Sequence, residues 1–210
     1  AQHVHHGARS GPWQFLRHLP EGIMADLRSA PLGSALAGAQ AEAFRAWGRL
    51  LRTEPFGQQG NAGIAEAEWL AECAAWRADI VHAIDGEFAL WLLARIPPAL
   101  FLGGRRPRFV ATFHQPPALL DGMVNAALLG RLDAVILLCE VQRAVVAPHL
   151  DPARLHIIPH GIDTDFFTPG PRGGEAGVSL LAVGHWLRDY DAAFAAHGLL
   201  RDAGIPARLR

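Results

Sequence analysis

Residues 109–117 read Phe109-Val110-Ala111-Thr112-Phe113-His114-Gln115-Pro116-Pro117. The run is short, nearly continuous in apolar residues and closed by a polar pair and two prolines. It has the pattern of a strand buried on both faces, followed by a turn. Three more runs of the same kind flank it: Ile80-Val81-His82-Ala83-Ile84, Ala134-Val135-Ile136-Leu137-Leu138 and Leu155-His156-Ile157-Ile158. Between them lie segments long enough for crossover helices, notably 87–95 and 119–132. Strand, helix, strand, helix predicts an α/β fold with a doubly wound, Rossmann-like parallel sheet.

Outward from this block the chain changes character. Towards the front, Ser10 is suited to an N-cap and Pro12 to a first helical turn, so residues 13–19 are expected to form a short helix that Pro20 ends. Residues 35–51 and 64–77 are Ala-rich with helical apolar spacing, and the Gly/Gln/Asn-rich piece 57–63 between them reads as a loop. The tryptophans of this region are read as core packing. Towards the end, Thr168-Pro169-Gly170-Pro171-Arg172-Gly173-Gly174 interrupts regular structure. After it come a strand pattern at 179–183, a helix pattern at 189–203 and the start of another strand at 207–210. The expected organisation is a first domain over 1–168, a linker over 169–177 and the beginning of a second, Rossmann-like domain over 178–210. A single βα unit cannot bury its own faces, so the natural product is expected to be longer.

Composition narrows the chemistry. The 210 residues are 50% hydrophobic and 19% charged, with a formal net charge of -1, a mean hydropathy of +0.14 and a pI near 6.9. That balance gives no support for a broad electrostatic grip on nucleic acid. Every one of the 19 basic residues is arginine. Schiff-base, Walker A and kinase lysine mechanisms are therefore excluded, and any phosphate must be held by Arg, His or backbone N–H groups. Cys73 and Cys139 are too far apart in sequence to argue a disulfide framework or a zinc site. No apolar run reaches the length of a membrane span; 88–104 is broken by Arg95 and by Pro97-Pro98. With no secretory leader pattern at the front, the expectation is a soluble, cytoplasmic protein.

Four stretches carry candidate chemistry. His114 lies where its strand should end, the place where open parallel sheets bind ligands, and could donate a hydrogen bond to a substrate oxygen. A satisfied structural histidine would have the same sequence signature. Asp85, Gly86 and Glu87 lie at another strand end, but Glu87 also suits a helix dipole, and these three are not assigned to the site. His3-Val4-His5-His6-Gly7-Ala8-Arg9-Ser10-Gly11-Pro12 precedes a capped helix, and its glycines would let the backbone pass close to a phosphate. The His-x-His spacing of His3 and His5 admits a metal-hydrolase reading, which no later ligand cluster supports. The third stretch is Ile157-Ile158-Pro159-His160-Gly161-Ile162-Asp163, running on to Phe167 and Pro169. The fourth is Val183-Gly184-His185-Trp186-Leu187-Arg188-Asp189, where Arg188 is the nearby cation suited to a phosphate.

In this order the four stretches resemble the retaining glycosyltransferases of family four, enzymes of the two-domain GT-B architecture. The Pro159-His160-Gly161-Ile162-Asp163 turn is similar to that family's Pro-Asn-Gly-Val-Asp turn, and Thr112-Phe113-His114 to its strand ending in histidine. The resemblance implies transfer of a sugar from a nucleoside diphosphate sugar to a hydroxyl acceptor with retention of configuration. It implies His114 at the donor sugar as the catalytic residue, and Gly7, Gly11, Gly184 and Arg188 as donor-binding residues. It implies no metal and no cofactor beyond the nucleotide-sugar substrate. The acceptor would be a glycan, a lipid or a small molecule, and peripheral membrane contact is left open. The chain departs from the family where Arg and Lys usually meet the pyrophosphate: His185 follows Gly184, and lysine does not occur. Because fold does not fix function, an epimerase or phosphorylase on the same architecture stays in view, and the departure itself keeps open a non-catalytic relative acting as a binding module.

Overall fold

The computed structural model describes residues 17–24, 78–90, 93, 107–124, 126–170, 177–184 and 188–210. The chain divides into two compact units, Ala1–Asp163 and Thr164–Arg210. In the first unit, β1 (Ile80–Ala83), β2 (Arg108–Phe113), β3 (Ala134–Leu137) and β4 (Leu155–Ile157) form one sheet in the order of the chain. All three pairings are parallel, with Ala83 opposite Ala111 and Phe113 opposite Leu137. The four apolar runs thus become the four strands. The continuous apolar pattern has its expected cause: consecutive residues Ala111, Thr112 and Phe113 are all buried, so β2 is covered on both faces. Because the described strands follow chain order, the reversal that makes a sheet doubly wound does not occur among them.

Phe109, Phe113, Leu120, Leu129, Leu132, Val135, Leu137 and Val146 have no exposed surface and form the centre of the core. The segment between β2 and β3 departs from the single crossover helix expected over 119–132. It forms two helices, α2 (Pro117–Met123) and α3 (Ala126–Leu129), after the short α1 (Gly86–Ala89) that follows β1. The break falls at Val124, whose backbone is extended (φ -110, ψ 154). Gly122 and the β-branched Val124 are weak helix formers, and the extended turn lets the Val124 side chain join the core. The helix expected over 87–95 starts one residue early; its described part ends at Ala89, where Leu90 leaves helical geometry. Past β3 the chain makes a 3-10 turn (Glu140–Gln142) and α4 (Arg143–Val146) before β4.

The second unit pairs β5 (Val178–Leu180) with β6 (Ala207–Leu209) in parallel, joined through α5 (Tyr190–Asp202). Asp189 caps α5, its Oδ1 accepting the Ala192 N–H at 2.9 Å. None of the described residues of this unit is buried, and Phe194 and Leu199 on α5 are exposed. One βα unit has too little surface to cover these faces. The helices expected over 35–51 and 64–77, the loop at 57–63, residues 13–16 of the expected short helix and residues 171–176 of the expected linker lie outside the described residues.

Gly86 opens α1 directly against β2. A Cβ there would stand 2.9 Å from both the Ala111 Cβ and the Phe113 ring, and both partners are fully buried. Gly86→Ala is expected to cost about 1–3 kcal/mol through overpacking. Gly122→Ala, where nothing lies within 4 Å, is expected to add roughly 0.5–1 kcal/mol of helix stability. Chemical denaturation of the two variants checks the contrast.

Candidate active site

Parallel pairing brings the carboxyl ends of β1 and β2 side by side, so the residues just past each strand meet. From the β1 side come Asp85 and Glu87; from the β2 side comes His114. The His114 backbone N–H donates to Glu87 Oε1 at 3.0 Å. Its ring Nδ1 lies 3.5 Å from Asp85 Oδ1 and 3.9 Å from Glu87 Oε1. Nδ1 is buried while 22% of the side chain reaches solvent, so the ring's exposure lies on its other atoms. The loop after β4 brings in His160, whose ring centroid is 5.1 Å from that of His114. Within the sheet, His82 Nε2 and Thr112 Oγ1 are 2.8 Å apart. Desolvation, and secondarily the charge of His114, hold His82 below the usual histidine range.

Glu87 is the most perturbed acid of this cluster. Its side chain has no exposed surface, and Oε2 is buried with no hydrogen-bond partner. Burial pushes its carboxyl up from 4.5 to about 7. The backbone N–H groups of Glu87, His114 and Gln115 pull the other way, and the nearby Asp85 charge adds to the rise. A raised carboxyl favours the protonated folded state, so its contribution to stability is complete below pH 4.5 and is lost as pH climbs through about 7. The shift corresponds to roughly 3 kcal/mol. Glu87→Gln is therefore expected to match the wild type in stability near pH 4 and to exceed it by up to roughly 3 kcal/mol at pH 8, as denaturant titrations at the two pH values would show.

Behind His114, the fully buried Gln142 ties two strand ends together. Its Nε2 donates to the carbonyls of Phe113 (3.1 Å) and Gln115 (2.9 Å), past the end of β2. Its Oε1 accepts the N–H groups of Leu138 (2.8 Å) and Cys139 (3.1 Å), past the end of β3. The amide thus spends its donors on the backbone on either side of His114 and its acceptor on the backbone at the end of β3. Gln142→Leu would strand four backbone groups, and is expected to cost about 3 kcal/mol or more in a denaturation experiment.

The second unit holds two of the predicted donor-binding residues. Gly184 takes a left-handed conformation, φ +100, which a side chain would strain. Arg188 folds back over it, Nε donating to the Val183 carbonyl at 3.1 Å, and the Tyr190 hydroxyl donates to the Gly184 carbonyl. The structure therefore brings Gly184 and Arg188 together beyond β5. Gly7, Gly11, His185 and the His3/His5 pair lie outside the described residues. Among the described residues, no group of three His, Cys, Asp or Glu side chains is arranged to hold a metal ion, and no helix is long and apolar enough to cross a membrane.

Sequence reasoning placed His114 but not its surroundings. Asp85 and Glu87 were readable as strand-end acids, with no signal that Glu87 would be buried beneath His114. His160 was visible only as a turn residue. Gln142 carries no local signal at all, since its partners are set by strand pairing.

The glycosyltransferase family 4 model matches residues 35–166. That span contains β1 through β4 and the entire cluster of Asp85, Glu87, His114, Gln142 and His160. The chain belongs to glycosyltransferase family 4, and membership implies a glycosyltransferase acting in general on a sugar donor and an acceptor. No protein of curated function matches the sequence.

Proposed function

We propose that the protein transfers a sugar from a nucleoside diphosphate sugar to a hydroxyl acceptor with retention of configuration. In this reading the first unit belongs to the acceptor-binding domain of a GT-B enzyme, and the second to the domain that binds the donor. The observation that carries the reading is the presentation of His114 at the carboxyl end of a parallel strand, where such sheets bind ligands. Its Nδ1 is turned to the Asp85 and Glu87 carboxyls, which orients the ring.

Sugar transfer breaks the bond from the anomeric carbon to the diphosphate oxygen and forms one to the acceptor oxygen. The acceptor loses a proton, and negative charge collects on the departing diphosphate. His114 contacts the donor sugar and steadies the polar groups around the reacting carbon. Arg188 supplies positive charge to the leaving group, in place of the lysine that the chain lacks, and the backbone at Gly184 permits close approach of the phosphates. Each of these contacts grows in value as charge develops, which is the condition for lowering the barrier.

In the natural full-length protein, His114→Ala is expected to lower turnover about a hundredfold against the best substrate of a panel of nucleoside diphosphate sugars. Turnover within about twofold of wild type would remove His114 from the chemistry. Proton NMR of the product's anomeric centre tests retention.

A further inference from the structure

Glu87 is placed unlike an ordinary helix-start acid. One oxygen holds the His114 main chain; the other is buried without a hydrogen-bond partner. A half-satisfied buried carboxyl costs stability, and holding the end of β2 does not by itself require one, since a neutral amide could accept the same N–H. The part that an amide could not play is electrostatic: together with Asp85, Glu87 faces the buried Nδ1 of His114 with acid groups. We propose that Glu87 is a positioning residue whose carboxyl sets the orientation and protonation of the His114 imidazole for its contact with the donor sugar, an inference that rests on the role given to His114 above.

The charges around this pair come from every neighbouring element. Asp85 faces Nδ1 from the turn between β1 and α1. His82 on β1 interacts with His114 as a like charge, and His160 faces the ring from the loop after β4. On α2 the one ionisable residue, Asp121, is exposed. When Glu87 ionises, a second anion stands by Nδ1, and the imidazolium with both nitrogens protonated is held to higher pH. The Nε2–H then remains a donor for a sugar oxygen. When Glu87 is neutral, Asp85 is the one acid group left to face Nδ1. Because the Glu87 carboxyl is raised to about 7, this change falls in the neutral range.

The test is made on the natural full-length protein with Glu87→Gln, which keeps an acceptor for the His114 N–H, and with imidazole ¹⁵N NMR of His114 alongside steady-state kinetics. The expected result is a His114 titration displaced to lower pH, a kcat at pH 8 reduced about tenfold, and KM little changed. At pH 5, where wild-type Glu87 is already neutral, the two proteins should nearly coincide. A His114 titration unmoved by the substitution, or a loss of kcat equal at both pH values, overturns the proposal. Should Glu87→Gln fail to fold, the wild type decides: the Glu87 ¹³C carboxyl and His114 ¹⁵N signals should share an inflection, and independent single-step titrations overturn the proposal. If the titration moves while His114→Ala retains full turnover, the electrostatic contact stands, and the assignment of His114 to sugar transfer is what fails.

Discussion

The end of β2 must leave a two-sided, dry sheet without leaving its backbone groups bare. Beyond Phe113 the ladder with β3 stops, yet the chain at His114 and Gln115 is still half-buried, so its N–H and C=O groups need partners from elsewhere. Glu87 supplies one from the β1 side and Gln142 supplies two from the β3 side. These side chains replace the ladder for the length of the turn, and His114 sits between them. The position of the candidate catalytic imidazole is thus set by the same hydrogen bonds that close the sheet.

That solution has an electrostatic consequence. An amide at 142 satisfies its neighbours with no net charge, whereas a carboxylate at 87 brings a charge that the interior resists. The protein accepts a carboxyl poised near neutrality, with one oxygen unpaired, directly beneath the histidine. Ionisable groups perturbed in this way concentrate at functional sites, and here the perturbed acid touches the residue that the strand-end position marks. The close packing of Gly86 on Ala111 and Phe113 keeps α1 tight against β2, which holds Glu87 at that depth.

The second unit repeats the principle at lower burial. Past β5, Gly184 takes a left-handed turn, and the freed carbonyls of Val183 and Gly184 are taken by Arg188 and Tyr190. The guanidinium is anchored to the strand end by one nitrogen while the residue stays exposed. In both units, then, side chains recruited to finish a parallel strand lie at or beside the group suited to a polar substrate.

Much of this was legible in the chain. Runs of apolar residues closed by Gly, Pro and polar residues located the six described strands and the longest described helix to within a few residues, because apolar patterning and turn chemistry are imposed by near neighbours in sequence. His114 was legible for the same reason, as the first polar residue after such a run. The break at Val124 was not: local helix pattern continued through it, and the demand of the core for that side chain prevailed. Nor was the setting of His114 legible. Glu87, Gln142 and His160 reach it from segments far along the chain, brought together by parallel pairing and loop closure, and no local pattern encodes which distant groups a strand end will meet. The sequence by itself determined the α/β class, the strands and the histidine at the strand end. Only the tertiary structure decided which carboxyl is buried beneath that histidine and which amide holds it, because desolvation and hydrogen-bond partnership exist only once the sheet has assembled.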